Sequence, residues 1–175
     1  FPKCDFRQGD ALISSTFEPA SFTHIMCMYF TLYYFQDKQR FLNNCAKWLM
    51  PGGYLMVHVV DENKFDPILP PGNPLLLVSP QRYANKRITN TTIKFDKFTY
   101  TSDFDMNGSG GTTRFVENFK DAKTGQVRKN DHVLYMESEA SILNQAQRAG
   151  FLVHGRIDML PCQYEYQYIY VFVKP

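Results

Sequence analysis

The stretch that decides the fold is Phe22-Thr23-His24-Ile25-Met26-Cys27-Met28-Tyr29-Phe30, followed by Gln36-Asp37, by Pro51-Gly52-Gly53, and by Tyr54-Leu55-Met56-Val57-His58-Val59-Val60-Asp61. Two almost unbroken apolar runs flank a segment in which Phe41, Leu42, Cys45, Trp48 and Leu49 recur every three or four residues. Unbroken runs suit strands buried on both faces of a parallel sheet, and the three- and four-residue spacing paints one face of a helix. Asp37 is placed to cap the helix start, and Gly52 and Gly53 to release the chain at its end. The prediction is a β-α-β unit with a right-handed crossover.

Composition sets the limits around that unit. A chain of 175 residues fits one domain and can bury a core. The formal net charge is +2, and Lys and Arg form no dense run, so a nucleic-acid partner is not implied. Apolar stretches are only strand-length, which predicts no membrane span. The four cysteines, Cys4, Cys27, Cys45 and Cys162, form no C-x-x-C pair and read as reduced thiols. With no charged-then-apolar leader in its first residues, the protein is expected in the cytoplasm. His24, His58, His132 and His154 show no ligand spacing, so no metal is expected.

Before the central unit, a short strand is expected to end at Gly9-Asp10-Ala11. After it, Asp66-Pro67-Ile68-Leu69-Pro70-Pro71-Gly72-Asn73-Pro74 reads as a stiff linker, because so many prolines forbid a helix or a central strand. Residues 88–136 are rich in Thr, Phe, Tyr and Val. Ile93, Phe95, Phe98 and Tyr100 alternate with polar neighbours apart from a one-residue slip that reads as a bulge, and Phe115, Phe119, Val127, Val133 and Tyr135 continue the pattern. This predicts an antiparallel meander of three strands, with Gly108-Ser109-Gly110-Gly111 in a hairpin turn. A second helix is expected over 138–149, capped by Ser138 and closed by Gly150, then strands over 152–159 and 168–173.

The order of these pieces, with Gly9-Asp10-Ala11, Met26-Cys27-Met28-Tyr29-Phe30, Leu49-Met50-Pro51-Gly52-Gly53-Tyr54-Leu55 and Ala149-Gly150-Phe151, resembles the C-terminal part of a class I S-adenosylmethionine-dependent methyltransferase. It is most similar to the small-molecule N-methyltransferases of the amino-sugar and glycine type. The resemblance implies an α/β fold: a truncated Rossmann-like sheet of parallel strands with an antiparallel C-terminal hairpin, plus the inserted β-meander. Residues 1–64 and 137–175 would form the partial core and 65–136 a substrate-covering subdomain. The family's glycine-rich cofactor loop has no counterpart in this sequence. The chain begins at Phe1, inside what reads as strand material, so the expectation is a piece of a longer protein, inactive alone.

By the same resemblance, S-adenosylmethionine is the expected cofactor, with Asp10 and Ala11 at its adenine and Met28 and Tyr29 bordering the reacting methyl. Asp10 reads equally as a turn residue. Tyr33 and Tyr34 either wall a substrate amine through cation–π attraction or pack on the helix. Asp61 either orients an amine or caps its loop, and His58, mid-strand, reads as a core residue. His132, on the inserted sheet, is the candidate base.

The expected activity is methyl transfer to a small-molecule amine or hydroxyl. The alternative is a non-catalytic methyltransferase-like module for association, with a homodimer as the expected assembly.

Overall fold

The structure, a computed structural model, describes residues 4–67, 80–106 and 111–175. The chain forms β1 (Phe22–Cys27), α1 (Lys38–Trp48) and β2 (Leu49–Val60), with β1 and β2 parallel. Asp37 caps α1 by accepting from Arg40 N at 2.9 Å, and Phe41, Leu42, Cys45 and Trp48 bury the helix face that the spacing predicts. The glycine pair does not end the helix. Leu49 already leaves it in extended conformation, and Gly52 and Gly53 lie inside β2, where the pairing jumps from Phe22↔Leu49 to His24↔Tyr54. Gly52 has φ +76°, and a Cβ on Gly53 would stand 2.9 Å from Met50 O and 3.0 Å from Thr23 O. The irregularity in the strand therefore needs both glycines.

Ser138 caps α2 (Glu139–Arg148) through Ser141 N, and β7 (Leu152–Asp158) and β8 (Gln167–Val173) follow as an antiparallel hairpin. Strand order in this first sheet is β1-β2-β8-β7, with β2 and β8 antiparallel. Leu55, Val57, Val59, Tyr170 and Phe172 join residues of α1 and α2 in the core. On the other face His24, Tyr54 and His154 form a row of ring contacts, and Met26 is 62% exposed. Cys27 and Cys45 are buried free thiols, and burial pushes Cys27 up to about 12.

Among the described residues the second sheet has four strands rather than three: β3 (Asn90–Lys94), β4 (Phe98–Asp105), β5 (Thr112–Asp121) and β6 (Val127–Tyr135), all antiparallel in sequence order. The slip between Phe95 and Phe98 is a hairpin turn, closed by Phe95 N–H on Phe98 O at 2.8 Å, and not a bulge. The inward face of β6 also differs from expectation. Phe115 pairs with His132 and Thr113 with Leu134, so His132 and Leu134 point inward while Val127 and Val133 are exposed. Residues 4–10 form no strand, since no described strand lies beside them to pair with. Most of the proline-rich linker, residues 68–74, and Gly108 to Gly110 of the expected hairpin turn lie outside the described residues.

The two sheets share one core. Phe104 and Leu134 of the second sheet are buried with Phe65, and Phe30 packs on Phe65 and Phe104 at centroid distances of 5.6 and 6.3 Å. Lys38, 1% exposed, ties the layers: its Nζ donates to Phe35 O and Tyr135 O at 2.9 and 2.7 Å and pairs with Glu137 at 3.2 Å.

Candidate active site at the junction of the two sheets

Beyond the end of β1 the backbone turns sharply. Tyr29 has φ +59°, a left-handed conformation that is uncommon for a bulky side chain and that clusters at functional sites. The turn projects Tyr29 into a cavity of about 350 Å³ between the first sheet and the inward face of the second. A 3-10 turn, Thr31–Tyr34, follows and delivers Tyr34 to the same cavity.

The second sheet supplies the opposite wall. Alternation along β5 points Phe115, Glu117 and Phe119 inward, and β6 brings His132 beside Phe115, the rings stacked at 5.6 Å. Glu117 accepts from Tyr100 Oη at 2.8 Å and Asn130 Nδ2 at 3.3 Å, and its Oε2 lies 3.3 Å from His132 Nε2. The other ring nitrogen, His132 Nδ1, is 2.9 Å from Tyr34 Oη. A carboxylate only accepts, so in the neutral ring Nε2 carries the proton and Nδ1 accepts from the Tyr34 hydroxyl. Burial, with the Glu117 charge adding to it, raises the pKa of Tyr34, which keeps that hydroxyl protonated as the donor. Burial likewise raises Tyr29. The result is a continuous Glu117–His132–Tyr34 line of hydrogen bonds ending at the cavity.

Of the residues singled out in the sequence, Tyr29, Tyr34 and His132 meet in this cavity. Tyr33 does not: it is fully buried, and its hydroxyl accepts from Val60 N at 2.8 Å. Asp61 caps its own turn, accepting from Asn63 N at 3.1 Å and pairing with Lys64 at 3.5 Å. Glu117 is the residue that sequence reasoning passed over, because one acidic residue in an alternating strand reads as a solvated position. Alternation along β5 puts it on the face of Phe115 and Phe119, but only the pairing with β4 and β6 brings Tyr100, Asn130 and His132 to its carboxylate.

Asp10, Ala11 and Met28 lie outside the cavity lining. Asn44 holds Ala11 O at 2.9 Å and Trp48 holds Ser14 O at 2.9 Å, so residues 11–14 run beside α1 toward its C-terminal end. Asp10 thus sits toward the end of α1 that follows the tip of β1. Its Oδ1 accepts from Leu12 N at 2.8 Å, and Oδ2 takes no hydrogen bond among the described residues. A free carboxylate oxygen of this kind suits an exocyclic amine donor such as that of adenine.

A family profile for the methyltransferase domain matches residues 1–57. No curated protein matches the sequence. Solved structures similar in fold include an S-adenosylmethionine-dependent methyltransferase from Clostridium acetobutylicum ATCC 824, at a TM-score of 0.67 and 12% identity over 94% of this chain and 62% of that one. The CcbJ methyltransferase from Streptomyces caelestis has a TM-score of 0.67 and 14% identity over 95% of this chain and 62% of its own. CalS10, an amino pentose methyltransferase from Micromonospora echinaspora solved with S-adenosylmethionine bound, has a TM-score of 0.61 and 15% identity over 95% of this chain and 63% of its own. The chain spans less than two thirds of the length of each of these structures. The fold of the chain, an α/β sheet with an inserted antiparallel sheet, is the fold these methyltransferases share.

Proposed function

We propose that the protein takes part in S-adenosylmethionine-dependent methyl transfer to a small-molecule amine. The observation that carries the reading is the hydrogen-bonded line from Glu117 through His132 to Tyr34, ending at a cavity beside the strained Tyr29. The methyltransferase-domain match over residues 1–57 and the shared fold support the choice of cofactor.

When bound, S-adenosylmethionine supplies a methyl group on a sulfonium, which is already activated for displacement. The chain's own residues have two tasks, alignment and proton removal. Asp10 and Ala11 would hold the adenine edge, with Met28 and Tyr29 bordering the methyl. Tyr29, Phe30 and the phenylalanines of the second sheet wall the acceptor and exclude water, and alignment of this kind contributes several kcal/mol, up to about 7–11 in favourable systems. An ammonium acceptor must lose a proton before its lone pair can attack. Tyr34 Oη takes that proton as it passes its own to His132 Nδ1, and Glu117 stabilises the imidazolium that forms at Nε2.

The test is incubation of the chain with methyl-labelled S-adenosylmethionine and a panel of amines and alcohols. Label on an amine nitrogen, lost in His132→Gln, is the expected result. Label confined to oxygen acceptors overturns the amine assignment, and absence of label from every acceptor overturns the activity for this chain.

A further inference from the structure

We infer that the acceptor is an amine carried on an apolar body, an aryl- or alkylamine, and not a polyhydroxylated amino sugar. This rests on the amine reading above and narrows it to a substrate class.

The cavity wall is the first argument. Phe30, Phe95, Phe98, Phe104, Phe115 and Phe119 all line it. Several of its polar side chains are bonded to each other, Tyr100 to Glu117 and Tyr34 to His132, which leaves fewer of them for a ligand's hydroxyls. A sugar brings a hydroxyl on nearly every carbon, and each one buried without a partner costs about 1–3 kcal/mol. This wall offers apolar contact instead, which favours a hydrocarbon body.

Charge is the second argument. The described lining holds the carboxylates of Asp66 and Glu117 and no lysine or arginine. Glu117 has Phe115 and Phe119 on either side along its strand face, and Tyr100 bonded to it. A carboxylate ringed by aromatic faces is the chemistry that receives an ammonium, by ion pairing and cation–π attraction together. It repels a carboxylate- or phosphate-bearing acceptor.

The test is binding of small probes to the chain, followed by NMR chemical-shift changes with and without S-adenosylhomocysteine. The probes are 2-phenylethylamine, its neutral analogue 2-phenylethanol, phenylacetate and glucosamine. The amine is expected to bind at least tenfold more tightly than the alcohol, shifting Glu117, His132 and Tyr29, with phenylacetate and glucosamine silent. In Glu117→Gln the preference for amine over alcohol is expected to vanish while alcohol binding persists, which also reports that the variant is folded. Glucosamine binding as well as 2-phenylethylamine, or an amine preference unchanged in Glu117→Gln, overturns the inference, as does failure of the amine to bind at all. S-adenosylhomocysteine is read separately, through Asp10 and Met28. Amine binding can therefore fail while the cofactor reading stands, and the reverse.

Discussion

Tyr34 Oη lies 2.9 Å from His132 Nδ1 although the two residues are 98 positions apart in the chain. One comes from the turn after the first parallel strand and the other from the last strand of the inserted sheet, so the bond exists only when the two layers are docked. Tyr34→Phe removes the hydroxyl and keeps the ring. The expected outcome is a folded protein whose His132 Nδ1 resonance, read by 15N NMR, moves toward a nitrogen with no donor. If the proposed function holds, loss of the relay should lower methyl transfer by about 10²-fold, at the lower end of what general acid–base catalysis contributes. An unchanged Nδ1 resonance would show that the bond is not made in solution.

Lys38 makes a second tie between the layers, and here the consequence is stability. Its side chain is fully buried, and burial pulls its pKa down while Glu137 pushes it back up. Lys38→Met keeps the length of the side chain but leaves Phe35 O, Tyr135 O and the Glu137 carboxylate without their donor. Breaking such a pair from one side should cost about 3 kcal/mol, seen as a lower urea midpoint at unchanged m-value. A loss under about 1 kcal/mol would place the pair among exposed ion pairs, which contribute little.

His58 makes stability depend on pH. Burial lowers its pKa below the ordinary 6.5, with the Gln167 side chain and the Tyr29 backbone opposing. The unfolded chain therefore takes up a proton at this position before the folded one does. Above pH 6.5 both states are neutral there and the site adds no pH dependence. As pH falls from 6.5 to the lower folded pKa, stability is lost. Urea unfolding at pH 7.5 and 5.5 should show a smaller acid loss in His58→Phe than in the wild type. Equal losses would contradict this.

The two glycines of β2 should respond differently to alanine. Gly52 has φ +76° and open space around a Cβ, so Gly52→Ala should cost about 1–2 kcal/mol from the left-handed backbone alone. At Gly53 the added methyl meets the backbone oxygens of Met50 and Thr23 at 2.9 and 3.0 Å, and a backbone cannot yield as a side chain does. Gly53→Ala should cost more, about 2–3 kcal/mol, by shifting β1 against β2. Thermal unfolding of the pair, with Gly52→Ala the more stable, checks the order.

The β-α-β unit was legible in the sequence because periodicity and capping agree there: Asp37 caps α1, and the apolar face of Phe41, Leu42, Cys45 and Trp48 is buried. That Tyr29 would border a cleft was legible because strand ends in α/β sheets face the ligand crevice, and Tyr34, singled out for its ring, lines the same cavity. Glu117 was not legible, because its role depends on which residues of β4 and β6 stand opposite it, and single-strand alternation carries no register. For the same reason Val133 was placed in the apolar row of a strand whose inward face His132 and Leu134 occupy. Tyr33 and Asp61 differ from their neighbours in what they touch, the Val60 backbone and the Lys64 turn, and that is a tertiary fact.

In the proposed function a methyl donor sits at the tip of β1, against Tyr29, with its adenine near Asp10. The most direct measurement is a titration of the chain with S-adenosylhomocysteine followed residue by residue in 1H–15N NMR spectra. With no strand–Gly-x-Gly–helix unit in the sequence, binding on the order of millimolar, about 4 kcal/mol, is expected. The shifts should be concentrated at Asp10, Ala11, Met28 and Tyr29 and reduced in Asp10→Ala. A spectrum that does not move at several millimolar ligand, or that moves elsewhere in the chain, contradicts the account.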